Sequence, residues 1–174
     1  MDDLAVLLER DQGKFGKLSG HVARNNPHHA AFDGSQPALI VFQGTHRYIS
    51  PAWYDPDKPA VPTWNFAVVH CSGRPKAFDD DARSAALLET LVGHFESYEN
   101  AQWDLSRLPE NYLKGLRQGI VPFEMEIESI EGKFKLGQER SERDRTGVLE
   151  GLAAAKPERS LLEFTLEHYE RIKL

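Results

Sequence analysis

A short segment near the middle of the chain combines an aromatic side chain with two hydrogen-bonding ones. If residues 63–65 lie on a strand, Thr63 and Asn65 point to one side and Trp64 to the other. A flat heteroaromatic ligand needs an apolar slot and a few fixed hydrogen bonds, which these residue types supply. Trp53 and Tyr54, in the proline-rich loop just before, add two more rings. The alternative is that Trp64 is a core residue and Asn65 satisfies a turn, and the residue types alone favour this alternative.

A basic stretch near the start of the chain could bind a phosphate group. His21 and Arg24 follow Lys14 and Lys17, and an arginine presents two parallel N–H donors to phosphate oxygens. In a straight strand residues 21 and 24 face opposite sides, so their joint use requires Gly20 or the turn after Arg24 to rotate the arginine back. The same residue types are also typical of a solvated strand edge.

The strong sequence motifs of catalysis are missing from the chain. It contains no glycine-rich phosphate loop, no Gly-x-Ser-x-Gly elbow, no His-Glu-x-x-His and no Cys-x-x-Cys. Most of its histidines precede residue 71, but without the spacing of a known set of metal ligands. The aspartates at 79–81 fit a helix start, and the glutamates at 124, 126 and 128 fit the solvated side of a strand. These patterns predict neither a catalytic residue nor a metal site.

Composition and charge exclude several classes of protein. The 174 residues are 40% hydrophobic and 28% charged, as expected for one globular domain with a core. No run approaches the roughly 20 apolar residues of a membrane-spanning helix, and no signal peptide is evident. The single cysteine, Cys71, excludes an internal disulfide and favours a reducing, cytoplasmic location. The net charge of −6 argues against a dedicated nucleic-acid binder, because phosphate neutralisation needs a basic surface.

The periodicity of apolar residues predicts strands in the first half of the chain and helices in the second. Residues 38–43 form a nearly continuous apolar run, which predicts a buried strand that ends at Gly44. Asp81 is the predicted cap of the first helix, and Ser141 that of a later one. The pattern predicts a single α+β domain over residues 1–174, with a meandering sheet or barrel and a helical part over 141–174. Strands are expected at 17–24, 38–43, 48–50, 63–73 and 122–131, and helices at 81–97, 110–118, from 141 onward and at 160–173.

Four segments of the chain form an ordered set of motifs. They are 20–27 (Gly-His-Val-Ala-Arg-Asn-Asn-Pro), 42–54 (Phe-Gln-Gly, then Tyr-Ile-Ser-Pro-Ala-Trp-Tyr), 61–66 (Val-Pro-Thr-Trp-Asn-Phe) and 133–140 (Lys-Phe-Lys-Leu-Gly-Gln-Glu-Arg), the last followed by Asp144-Arg145 and Gly147-Val148. Over about residues 4–154 the chain thereby resembles the PaiB-type FMN-binding negative transcriptional regulators of bacteria.

The resemblance implies an antiparallel, flavin-binding split β-barrel with flanking C-terminal helices, similar to pyridoxamine-phosphate-oxidase-like proteins. Two subunits of such a homodimer build two FMN sites at their interface. The motifs also imply which residues surround FMN. These are His21, Arg24 and Asn26 near the flavin, Ser50, Trp53 and Tyr54 in a wall of the pocket, Thr63, Trp64 and Asn65 along the ligand, and Lys135, Gln138 and Arg140 in contacts with phosphate or at the interface.

Two features depart from the family pattern. Where the family has Ser-Gln-Asn-Arg, residues 137–140 read Gly-Gln-Glu-Arg. Glu139 would repel a phosphate unless it points outward or pairs with Arg140 or Arg143. The family also carries a helix and the first barrel strands before the segment that matches residues 4–10. We therefore expect one of three cases: the barrel is completed differently, the start at Met1 is internal so that the barrel is N-terminally truncated, or the fold is a remnant. A barrel that lacks strands exposes edges that favour pairing with another chain.

Three functions are consistent with these features. The resemblance implies an FMN-binding regulatory protein, a negative transcriptional regulator that acts on DNA or on a regulatory partner. The second is an FMN-dependent oxidoreductase for a small molecule, in which the cofactor carries the chemistry and few side chains are needed. The third is a flavin-free interaction subunit.

Overall fold

Six strands and four helices make up the described parts of the chain, which are residues 4–99, 103–155 and 159–172 of this computed structural model. The strands are β1 (Val6–Glu9), β2 (Lys17–Ala23), β3 (Ala38–Ile49), β4 (Thr63–Gly73), β5 (Lys76–Ala77) and β6 (Ile120–Lys135). The helices are α1 (Asp81–Tyr98), α2 (Glu110–Gln118), α3 (Glu142–Ala154) and α4 (Arg159–Ile172), with short 3-10 helices at Pro27–Ala31, Pro51–Trp53 and Leu105–Arg107. The predicted α+β class is confirmed.

The strand order of the sheet is β1-β2-β6-β4-β3, and β5 also pairs with β6. Strand β2 pairs antiparallel with β1 on one side and with β6 on the other, and β5 also pairs antiparallel with β6. The chain divides into two compact units, one formed by residues up to 40 and 71–130, the other by 41–70 and the residues from 131 onward. The interpretation of residues 1–174 as one domain stays a prediction.

β3 differs most from its prediction. One strand runs from Ala38 to Ile49, where the sequence predicted two short strands separated after Gly44. A Cβ on Gly44 would lie 3.2 Å from the carbonyl oxygen of Ala67. This glycine therefore lets β3 approach β4 closely and does not form a turn. The apolar run is also not buried, since Leu39 and Val41 are 55% and 50% exposed. Leu39 and Val41 alternate with the half-buried Ala38 and Ile40, so they lie on the face of this end strand that does not pack on the core.

The core of the first unit lies between β2 and β6. Leu18 stands opposite Met125 in the antiparallel register, and Phe123, Met125 and Ile127 are at most 1% exposed. The predicted alternation of this strand is confirmed, although β6 begins two residues earlier and ends four residues later than expected. Ser19 is also buried, and its hydroxyl donates a 2.7 Å hydrogen bond to the carboxylate of Glu9.

The cap of α1 is Asp80 rather than the predicted Asp81. The Asp80 carboxylate accepts a 2.7 Å hydrogen bond from the amide of Arg83, which is the reach of an N-cap side chain to the third helical residue. Asp81 instead accepts a 2.8 Å hydrogen bond from Arg117 of α2, and this bond lowers the pKa of the Asp81 carboxyl. Three consecutive aspartates offer the same cap chemistry, so the sequence alone could not distinguish them.

The core of the second unit joins the end of β6 to α3 and α4. Ile49, Leu136 and Leu152 are at most 2% exposed, and the hydroxyl of Tyr169 donates a 2.7 Å hydrogen bond to the carbonyl of Leu136. The predicted cap of α3 is confirmed, since Ser141 accepts a hydrogen bond from an amide of its first turn. None of the helices in the described ranges combines the length and the apolar character that a membrane crossing requires.

Candidate functional site

Two of the residues assigned to the flavin site are caps of 3-10 helices. The amide oxygen of Asn26 accepts a 2.9 Å hydrogen bond from the backbone of His28. The hydroxyl of Ser50 accepts one of 3.2 Å from the backbone of Ala52. Both side chains therefore fix the local backbone, as Asn and Ser commonly do at such positions.

Arg24 is held by backbone carbonyls at the passage from α2 to β6. Its Nε donates to the carbonyl of Gln118 at 2.7 Å, and its Nη2 donates to that of Ile120 at 2.8 Å. A side-on bidentate contact with phosphate would need these same two donors, Nε and Nη2. In this conformation Arg24 ties the end of β2 to the start of β6.

His21 lines a cavity of the first unit, between α1 and α2. Its Nδ1 is buried and finds no hydrogen-bond partner within residues 4–99, 103–155 and 159–172. Burial lowers the pKa of His21, so the imidazole is neutral at neutral pH.

Trp53 and Tyr54 are packed on the second unit rather than held in a free aromatic wall. Trp53 lies so close to α3 that a Cβ on Gly151 would overlap its indole ring. Tyr54 is 7% exposed, with the guanidinium of Arg140 4.7 Å from its ring centre, and burial raises the pKa of its phenol. Both rings border a cavity of about 470 Å³ that is also lined by Asp55, Glu142, Arg143 and Glu150. This predominantly acidic lining disfavours a phosphate.

The segment after β6 forms a tight turn around Gly137, which has φ +76°. The side-chain amide of Gln138 bridges this turn. Its Oε1 accepts a 2.8 Å hydrogen bond from the backbone N–H of Leu136, and its Nε2 donates a 2.7 Å hydrogen bond to the backbone carbonyl of Phe134. Glu139 is 68% exposed and its carboxylate lies 3.8 Å from Arg140. Glu139 therefore both faces outward and pairs with Arg140, the two conditions under which it would not repel a phosphate.

The start of β4 and the end of β3 carry an exposed aromatic surface. Trp64 is 54% and Tyr48 is 45% exposed. The indole centre lies 6.2 Å from that of Tyr48 and 6.1 Å from that of His46. We call these three side chains the Trp64 surface. The interpretation of Trp64 as a core residue is therefore wrong, whereas Asn65, next along the strand, is buried at 2% exposure and lies within β4 rather than in a turn.

Lys135 and Thr63 form a polar pair beside this surface. The ammonium of Lys135 lies 2.6 Å from the hydroxyl oxygen of Thr63, at the positions where β6 ends and β4 begins. Lys135 is exposed, and an ammonium has three donors, so donors remain beyond the one given to Thr63. The pair can bind an anionic group of a ligand.

The twelve predicted site residues thus fall in both units. His21, Arg24 and Asn26 belong to the first unit, and the nine others belong to the second. Within the second unit the structure brings Thr63 and Lys135 into contact, and likewise Tyr54 and Arg140. His46 and Tyr48 were not among the predicted site residues, although their spacing of two residues places both on one face of a strand.

Comparison with known proteins identifies the family. Residues 1–129 match the model of the FMN-binding domain family FMN_bind_2. The chain is 36% identical over 140 residues to the protease synthase and sporulation protein PAI 2 of Bacillus subtilis, covering 78% of this chain and 64% of that protein. It is 31% identical over 171 residues to an uncharacterized protein of Aspergillus fumigatus, covering 78% of this chain and 66% of that protein. The chain therefore spans slightly less than two thirds of the length of these relatives.

A solved structure supports the fold. The flavocytochrome Anf3 of Azotobacter vinelandii aligns with a TM-score of 0.51 at 14% sequence identity, covering 81% of this chain and 59% of that chain. The predicted flavin-binding split-barrel fold with an antiparallel sheet is thereby confirmed.

The side chains of the second unit fit the chemistry of FMN. The exposed indole of Trp64 offers an apolar plane for a flat ring system. The ammonium of Lys135 and the hydroxyl of Thr63 offer donors for the phosphate or for ring carbonyls. When bound, FMN supplies redox chemistry that no side chain provides. The chain belongs to the PaiB-like family of FMN-binding domains, and its cofactor is FMN.

Proposed function

We propose that the chain is an FMN-binding regulatory protein whose flavin ring stacks on the Trp64 surface. The observation that carries this placement is the 54% exposure of Trp64 beside two further rings, within the second unit. Exposed aromatic clusters of this kind are typical of binding surfaces. The regulatory role draws its support from the relative PAI 2, whose name refers to protease synthesis and sporulation. A cytoplasmic location is part of the proposal, favoured by the single, buried Cys71.

The regulatory output is proposed to pass through a protein partner. The arginines near the start of α3 are engaged by the chain itself. Arg143 pairs with Asp55 at 2.9 Å and with Asp57 at 3.6 Å, while Arg145 donates to the carbonyl of Arg140 at 2.7 Å. The net charge of −6 also opposes DNA, because most of the affinity of DNA-binding proteins comes from phosphate neutralisation.

A second copy of the chain is the proposed neighbour of the flavin. The second unit also exposes the apolar side chains of Val41, Phe42 and Val61, at 50%, 37% and 70%. Exposed apolar side chains on an end strand favour association with another chain. A homodimer with FMN between the copies would cover them.

Replacing Trp64 by alanine is expected to weaken FMN binding about fivefold, the effect of one aromatic stacking contact. The chain is titrated with FMN after removal of bound flavin, and the affinity is read from quenching of flavin fluorescence. Trp103→Ala is the matched control, since Trp103 is 37% exposed and lies in the first unit. Equal affinities of the two variants would contradict the placement of FMN on the Trp64 surface.

The regulatory role is tested on the FMN-loaded chain with promoter DNA at two salt concentrations. We expect no salt-dependent binding, because the arginines of α3 are paired within the chain. Binding that weakens steeply with salt would contradict an output through a protein partner and would identify a direct repressor.

An FMN-dependent oxidoreductase is the second candidate. The Trp64 surface favours it, since a flavin lying there could leave its outer face open to a small molecule. Addition of NADH or NADPH to the FMN-loaded chain without oxygen distinguishes the two functions. Rapid loss of flavin absorbance near the oxidised band supports the enzyme, and an unchanged spectrum supports the regulator.

A further inference from the structure

The first unit contains the cavity that His21 lines, and none of its lining residues belongs to the Trp64 surface. It lies between α1 and α2 and has a volume of about 470 Å³, which is within the usual range of small-molecule sites. Its lining is mainly aliphatic and comes from both helices and the start of β6. The apolar side chains include Ala85, Leu88, Val92, Leu113, Leu116 and Ile120.

One polar atom beside this apolar lining has no partner in the part of the chain that the structure describes. Among the described residues the Nδ1 of His21 has no hydrogen-bond partner and is closed to solvent, while the imidazole lines the cavity, so a ligand reaches this atom when the ring turns about its Cβ–Cγ bond. Burying a polar atom without a hydrogen bond costs free energy, so such atoms in folded proteins usually meet a protein group, a water or a ligand. Because burial lowers the pKa of His21, the ring is neutral, and Nδ1 donates or accepts according to its tautomer.

The charges around the cavity exclude an anionic ligand. Arg117 is only 8% exposed and already binds two carboxylates, Asp81 at 2.8 Å and Glu110 at 2.6 Å. Glu89 and Glu110 line the cavity. The guanidinium is thus neutralised, and the remaining carboxylate repels negative charge. The phosphate of FMN does not suit this cavity.

We propose that this cavity binds a small neutral molecule with an apolar body and a hydroxyl group that hydrogen-bonds to His21. A hydroxyl fits either tautomer of the imidazole, because it both donates and accepts. The aliphatic side chains of α1 and α2 cover the apolar body. The ligand is thus a neutral alcohol or phenol, bound at a site that FMN does not occupy.

Three related probes test the chemistry of this site on the full FMN-loaded chain. They are 1-naphthol, naphthalene and 1-naphthyl phosphate, and binding is followed by chemical shift changes in ¹H–¹⁵N spectra. We expect 1-naphthol to bind about five- to tenfold more tightly than naphthalene, the effect of one neutral hydrogen bond. We expect the phosphate to bind more weakly than either. Failure of 1-naphthol to bind, or an affinity equal to that of naphthalene, would overturn the proposal.

Variants locate the probe. His21→Phe keeps an apolar ring and should remove the preference for 1-naphthol over naphthalene. Ala85→Trp fills the cavity and should abolish binding of both, whereas Ala86→Trp, one position along α1 at an exposed residue, should not. If Ala85→Trp does not fold, His21→Phe still tests whether His21 gives the preference for 1-naphthol over naphthalene. Displacement of 1-naphthol by added FMN, or an unchanged preference in His21→Phe, would overturn the assignment, whatever the outcome for Trp64.

Discussion

Gly147→Ala is expected to lower the free energy of unfolding by about 2 kcal/mol, which is an overpacking cost near the top of its usual range less the helix-propensity gain of alanine. A Cβ on Gly147 would overlap the carbonyl oxygen of Trp53. That oxygen belongs to the 3-10 helix Pro51–Trp53, so it cannot rotate away as the end of a flexible side chain would. The 3-10 helix and α3 must therefore separate.

Thermal unfolding measures this effect, with an expected fall in Tm of roughly 4–8 °C. Gly93→Ala is the matched control, because among the described residues nothing lies within 4 Å of the added Cβ on α1. This control should gain about 1 kcal/mol from helix propensity. A Gly147→Ala variant as stable as the control would contradict the close approach of Trp53 to α3.

Gly151, one turn along α3 from Gly147, distinguishes packing against the indole ring of Trp53 from packing against its backbone. A Cβ on Gly151 would overlap indole atoms of Trp53, whereas the Cβ on Gly147 meets backbone. Shortening Trp53 to alanine removes the overlapped ring atoms, so it should relieve Gly151→Ala and leave Gly147→Ala unrelieved. This is a double-mutant cycle in which coupling is expected for one pair only.

The sequence predicted best those elements whose pattern has one explanation. The alternation of Phe123, Met125 and Ile127 against glutamates can only be a strand with one buried face, and the structure has it so. The apolar run of β3 is consistent with two structures: a strand whose side chains are buried in the core, or a strand with exposed apolar side chains that another chain can cover. Which of them holds depends on the position of the strand in the sheet order, and that order is not written in local periodicity.

The candidate site was predictable as a set of motifs but not as a set of roles. Trp64, Thr63 and Lys135 present groups that a ligand can use. Arg24 and Gln138 come from equally distinctive motifs, but their side chains donate hydrogen bonds to backbone carbonyls of their own chain. Those carbonyls are left open by the turns that each segment makes, and residue types alone do not reveal them.

Lys135→Met is expected to weaken FMN binding about 10- to 100-fold, because a hydrogen bond to a charged group contributes roughly 1.5–3 kcal/mol. The ammonium of Lys135 already meets one hydroxyl, that of Thr63, at 2.6 Å, and its other donors remain for the FMN phosphate. The affinity is measured by flavin fluorescence. Lys133→Met, which removes the same charge two residues earlier on β6, controls for a general loss of positive charge.

Riboflavin distinguishes a phosphate contact from a contact at the subunit interface. It has the ring system of FMN without the phosphate, so Lys135→Met should leave riboflavin affinity within about twofold if Lys135 binds the phosphate. If the lysine instead joins two copies of the chain, both ligands should weaken together and the dimer should dissociate in gel filtration. Unchanged binding of FMN would remove Lys135 from the flavin site and leave its bond to Thr63 as a clasp between the end of β6 and the start of β4.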